Sequence, residues 1–161
     1  MTTPRLRTPA VHRAAALALA GAAALALAGC SATNPVTTTK AYAASDGVNQ
    51  SLGALTFGNL LVLTAAKDDP GTVLGSVTNA ASRDASVTIG IAGDETAITV
   101  PAGGTVLLGP EATAVPLGSV PAPPGALAEL VLASTTDGSV SVRVPVLDGT
   151  LSQYATLVPT P

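Results

Sequence analysis

The chain of 161 residues carries seven basic and ten acidic side chains, a net charge of −3, with one cysteine, one histidine, one methionine and no tryptophan. A lone cysteine excludes an intrachain disulfide and a thiolate metal cluster, and the acid excess excludes electrostatic attraction to nucleic acid. Aromatic residues are only 2% of the chain, so any core must be aliphatic and platforms for stacking sugars are scarce.

Three arginines, Arg5, Arg7 and Arg13, precede a run from Ala14 to Ala28 made only of Ala, Leu and Gly. A basic head, an apolar middle and small residues at the end are the parts of an export signal. The run of 15 residues is shorter than the roughly 20 that a helix needs to cross hydrocarbon, so a cleaved segment fits better than a permanent span. It closes on Leu27-Ala28-Gly29-Cys30, which resembles the lipobox of bacterial lipoproteins. That resemblance implies a diacylglycerol on the Cys30 thiol and cleavage just before it, leaving Cys30 as the acylated first residue. Two acyl chains suffice for a stable membrane anchor where one does not.

Removal of residues 1–29 leaves 132 residues, a size suited to one domain. It also takes away three of the seven basic residues, so four remain against ten acids and the net charge becomes −6. Membrane contact is then expected through lipid and not through a basic patch. From residue 31 to about residue 49 the chain is mostly Ala, Ser, Thr and Asn without an apolar period, which reads as a flexible tether. The expected organisation is a signal peptide over 1–29, a lipid-anchored tether over 30–50, a folded domain over 51–155 and a C-terminal tail over 156–161.

From Leu55 onward the apolar spacing is close to two and turn residues recur at short intervals, which predicts strands. Leu55 to Thr64 and Thr72 to Asn79 flank the turn Lys67-Asp68-Asp69-Pro70-Gly71. Val87, Ile89 and Ile91 alternate with Thr88 and Gly90 and mark a half-buried strand that Asp94-Glu95 is expected to close. Ile98 to Val100 and Thr105 to Leu108 surround Pro101-Ala102-Gly103-Gly104. Four prolines between Glu111 and Gly125 exclude a helix or a central strand there. Leu127 to Ser134 and Ser139 to Leu147 form a hairpin about Asp137-Gly138, a pair suited to positive dihedrals, with Val140, Val142, Val144 and Val146 on the inner face. Pro145 suggests an edge or a bulge. About seven short strands with turns every eight to twelve residues predict an all-β, antiparallel sandwich of immunoglobulin or cupredoxin type.

Ser45-Asp46-Gly47-Val48-Asn49, Gly53-Ala54-Leu55 and Asn59-Leu60-Leu61-Val62-Leu63 follow the lipobox and tether in an order that resembles the LpqE-like lipoproteins of actinobacteria. Gly75-Ser76-Val77-Thr78-Asn79 and Val100-Pro101-Ala102-Gly103-Gly104 extend the likeness. The resemblance implies a fold related to periplasmic copper chaperones, sandwich proteins that hold Cu(I) through histidine and methionine. Those ligands do not carry over. The only histidine is His12 and the only methionine is Met1, both within the export segment, whereas soft Cu(I) takes thiolate, thioether or imidazole donors.

Without a histidine beyond residue 12, neither a Ser-His-Asp nor a Cys-His arrangement can form in the folded part, nor can an imidazole-based zinc site. Thr64-Ala65-Ala66-Lys67 has the spacing of a hydroxyl and lysine pair, but at a strand end a solvated lysine is the expected role. Asp68-Asp69 and Asp94-Glu95 sit where turns are already required; acids cap such turns, and no loop offers the six to eight converging oxygens that Ca²⁺ takes. Pro121-Ala122-Pro123-Pro124 reads as a rigid connector. The sequence therefore predicts an exported, non-enzymatic binding or assembly factor at the extracytoplasmic face of the cell membrane. It is held there by Cys30 and has an unidentified envelope protein as partner, no nucleic-acid partner, and no catalytic residue, metal site or cofactor. The alternative is a copper or metal chaperone-like envelope protein.

Overall fold

The computed structural model describes residues 14–23 and 45–160. Residues 14–23 are helical and exposed all round. Among the described residues no helix is long and apolar enough to cross a membrane. Leu27, Ala28, Gly29 and Cys30 and the tether to residue 44 lie outside the described residues.

The folded unit is built almost wholly of strands: β1 (Val48–Leu52), β2 (Leu55–Thr64), β3 (Gly71–Asn79), β4 (Ala85–Ile91), β5 (Asp94–Val100), β6 (Thr105–Leu108), β7 (Pro116–Leu117), β8 (Leu127–Ser134) and β9 (Gly138–Leu147). They follow the hydrogen-bonding order β5-β4-β8-β9-β2-β3-β6, with β1 added to β2 and β7 to β3. Two antiparallel layers result, β5-β4-β8-β9 and β1-β2-β3-β6-β7. They are joined at one corner, where β2 and β9 run parallel through the pairs Val62↔Val146 and Leu63↔Leu147. The all-β sandwich is as expected, with one short parallel link that makes it nearly a barrel.

Both inner strands of the second layer share an edge between two partners. β1 occupies β2 from Leu55 to Leu60 and β9 takes over at Val62. Likewise β7 pairs with β3 at Gly71 and Thr72, and β6 from Gly75 to Thr78. Pro145 is the last β9 residue on the ladder to β8, one position before pairing with β2 begins. Its missing N–H falls where one ladder gives way to the other, which is how a proline is accommodated within this strand.

The alternation that predicts β2 changes phase at a bulge. Leu55 and Phe57 face the main core, then Leu60 and Val62 do, because Asn59 and Leu60 together oppose Gly75 between the pairs Gly58↔Ser76 and Leu61↔Leu74. Asn59 takes a left-handed φ of 51°, which a short polar side chain tolerates. Beyond the bulge Leu61 and Leu63 point to the outer face and are fully buried there. They form a second, smaller core with Tyr154, against which Leu74, Leu147, Leu157 and Val158 pack. Burial on both faces is why Leu60-Leu61-Val62-Leu63 reads as an unbroken apolar run.

The domain limits differ from those expected. β1 begins at Val48, inside the segment read as tether, because Val-Asn-Gln-Ser-Leu has too little apolar alternation to mark a strand. At the other end, Leu157 and Val158 pack on Leu61 and Leu63, so the residues read as a tail belong to the folded body. A third difference lies at Asp94, expected to close a strand but found opening β5 opposite Ile91. Gly93, at φ 90°, makes the tight reversal between them.

Candidate functional site

Several carboxylates accept hydrogen bonds from backbone amides. Asp94 accepts a hydrogen bond from the Gly118 amide at 2.6 Å, Glu95 from the Gly93 amide at 3.0 Å, and Asp84 from the Ala102 amide at 2.9 Å. Glu95 caps its turn, as expected of it, whereas Asp94 and Asp84 tie down segments 24 and 18 residues away. Hydrogen bonds from the hydroxyl and then the amide of Thr150 hold the Asp148 carboxyl below its ordinary range. Among the described residues no group of three or more His, Cys, Asp or Glu side chains converges as a metal site would.

Thr64 and Lys67 do not form a pair. The Thr64 hydroxyl is fully buried and lies 3.0 Å from the carbonyl oxygens of both Ala66 and Pro70, where it ties off the turn after β2. Lys67 is exposed and 3.8 Å from Asp68, a surface ion pair worth little. The proline-rich stretch crosses between the layers as a connector. Val120 and Asp69 bond through amide and carbonyl at 2.9 Å, and the Val73 amide donates to Val115 at 3.0 Å.

Residues that carry the sequence resemblance turn out to be structural. The Asn59 side-chain oxygen accepts from the Ser45 hydroxyl and the Gly47 amide, each at 2.7 Å, while the Asn59 amide donates to Asn49 at 2.9 Å. Ser45 to Asn49 are thereby clasped onto the β2 bulge. Asn79, 1% exposed, donates to the carbonyls of Arg83 and Val100 and accepts from the Ala81 amide at 2.9 Å, so it joins β3, the following turn and the end of β5. Among the described residues every buried side-chain nitrogen or oxygen has a partner.

Tyr154 links the two ends of the folded body. Its hydroxyl donates to Asp46 at 2.7 Å, and its ring closes the outer core. Burial, then the hydrogen bond and negative charge of Asp46, push the Tyr154 hydroxyl up to about 12. A group whose value is raised on folding stabilises fully below its unfolded value, here 10, and loses that contribution as the pH climbs through about 12. The thermal midpoint should therefore fall more steeply between pH 10 and 12 in the wild-type chain than in Tyr154→Phe. Parallel curves for the two proteins would show that this bond carries no stability.

Concave apolar surface lies beside this link. Two adjoining hollows, of about 410 and 490 Å³, both lined by Pro110 and Leu157, make up a grooved face. It runs between β3, β6, the 109–117 connection and the C-terminal segment. Leu107, 63% exposed, stands at its rim, and Glu111 is the charged side chain among its lining residues. Sequence reasoning did not find the groove, although Val106-Leu107-Leu108 carries a signal: three successive apolar residues in a strand place one on the outer face.

The sequence matches no protein-family model and no curated protein. Solved structures do resemble it. The copper-bound PCuAC domain from PmoF2 superposes with a TM-score of 0.52 at 21% identity, over 62% of this chain and 97% of that domain. The apo PmoF2 PCuAC domain gives 0.52 at 19% identity, over 64% of this chain and 97% of that one. The apo PCuAC domain from PmoF1 gives 0.52 at 15%, over 61% and 97%. At such identities the likeness is one of fold. The folded body is thus similar in architecture to PCuAC domains.

Proposed function

We propose that the chain is an LpqE-like lipoprotein of the cell envelope, in which a PCuAC-type sandwich serves as a non-enzymatic binding module on the outer face of the cytoplasmic membrane. The fold likeness carries the reading of the sandwich. The anchor rests on Leu27-Ala28-Gly29-Cys30 at the end of the apolar run, with diacylglycerol on Cys30 as the membrane contact and a further envelope protein as the partner. A sandwich several of whose acids hold backbone amides and whose buried polar groups are all partnered suits recognition through its surface. Cys30→Ser is expected to move the protein from the membrane fraction to the soluble fraction. Retention in membranes, or an intact mass showing a bare Cys30 thiol in the wild type, would reject the anchor.

The PCuAC neighbours favour a second reading, delivery of copper, because one of them is copper-bound. Cargo chemistry decides between the two. The sequence from residue 45 onward contains no histidine, methionine or cysteine, and its carboxylate, hydroxyl and amide oxygens are hard donors that fit Cu(I) poorly. Titration of the protein, purified from its membranes, with Cu(I) under reducing conditions is expected to show no submicromolar binding. Stoichiometric binding at that level would replace the first reading with the second.

A further inference from the structure

The geometry points to a lipid-binding role for the groove: it takes an acyl chain of a bilayer phospholipid. The two hollows adjoin at Pro110 and Leu157, which line both, and each lies within the roughly 300–1,000 Å³ typical of small-molecule sites. Leu74, Leu107, Leu157, Val158 and four prolines line them beside three threonines and Glu111, a mainly apolar surface that hydrocarbon favours and that water wets poorly.

Where the tether leaves the body selects the occupant. The described body begins at Ser45, and its neighbour Asp46 accepts the Tyr154 hydroxyl. The Leu157 amide in turn donates to the Tyr154 carbonyl at 2.9 Å. Tyr154 therefore connects the groove residue Leu157 to the chain's point of departure toward Cys30. The 15 residues from Cys30 to Ser45 span at most about 50 Å when fully extended. On the proposed anchor, the groove is thus always within reach of the bilayer surface, where acyl chains are concentrated. The mature charge of −6, four basic residues against ten acids, works against anionic headgroups, so a zwitterionic lipid is the fitting donor. Diacylglycerol on Cys30 is itself needed in the bilayer to hold the protein there, which leaves the groove to a separate lipid molecule.

The test uses the intact anchored protein in phosphatidylcholine vesicles, with a photoactivatable group at mid-chain in the vesicle lipid only. Crosslinks are expected at Leu107, Ala112 and Leu157, and labelling there is expected to fall about tenfold or more in Ala112→Trp, whose bulk would fill the groove. Ala112 is exposed, so an unchanged thermal midpoint will show that this variant folds. Labelling spread over other surfaces, or undiminished in Ala112→Trp, would overturn the inference. Groove residues left unlabelled but carrying the chain's own Cys30 acyl group would overturn it in favour of self-occupancy. If the protein does not join vesicles at all, the anchor has failed and not the groove. The same probe on short-chain phosphatidylcholine below its micellar concentration then tests the groove by itself: labelling at the same three residues supports it, and absence of labelling overturns it.

Discussion

Phe57→Ala is expected to cost about 3–5 kcal/mol of folding stability, the usual range for emptying a buried aromatic site. Phe57 is the chain's single phenylalanine and is wholly buried in the main core, opposite Val77 on one side and Gln50 on the other. The surrounding core is made of Leu, Val and Ile, short side chains whose backbones are fixed in paired strands and cannot collapse into the space. Against a total stability of about 5–15 kcal/mol for a domain of ordinary size, such a loss removes a large part of the margin. Urea denaturation should show a much lower midpoint with an unchanged slope, and Phe57→Leu should recover most of the difference. A loss below about 1 kcal/mol would mean that the core is not packed around this ring.

Gly75→Val is expected to be comparably damaging, by about 2–6 kcal/mol, because backbone strain and overpacking act together. Gly75 has φ 145°, and a Cβ there would lie 2.7 Å from the Gly58 carbonyl oxygen and 3.1 Å from that of Asn59. Those oxygens belong to the bulge that sets the phase of β2, so relief by local movement would displace Leu60 and Val62 from the main core. Gly103→Ala is the matching control. Gly103 also has a positive φ, 61°, but meets nothing within 4 Å, so only the conformational cost of about 1–2 kcal/mol remains. Thermal midpoints of the two variants measured side by side separate overlap from strain; equal losses would show that close approach at Gly75 contributes nothing.

The same bulge shows what is legible in the sequence. Alternation locates β2 between Leu55 and Thr64, β6 between Thr105 and Leu108, and β8 between Leu127 and Ser134, with the ends found in the structure. Asp137-Gly138 lies at the expected hairpin, with Gly138 at φ 80°. Period-two reasoning has no place for an inserted residue, however, so it cannot tell which of Leu60 to Leu63 face the main core. β1 is invisible to it for a related reason. That strand is held by its ladder to β2 and by the Asn49–Asn59 hydrogen bond, while its own residues, Val-Asn-Gln-Ser-Leu, carry too little apolar alternation to announce it.

The candidate site is legible mainly in its exclusions. The positions of histidine, methionine and cysteine are facts of the sequence, whereas the groove depends on how the 109–117 connection and residues 156–160 come together across the sheet edge. Short motifs such as Gly75-Ser76-Val77-Thr78-Asn79 point to a related fold because they encode its difficult places. Gly75 admits the bulge and Asn79 gathers three chain segments.

The clasp at residues 45–49 also has a mechanical meaning. Tension arriving from the N-terminal side meets the body first at the Asn59 side chain on β2 and at Tyr154, before the ladder between β1 and β2 is loaded. Those few polar bonds would yield ahead of the aliphatic interior, so under pull the protein should lengthen by peeling β1 while the rest of the sandwich stays closed.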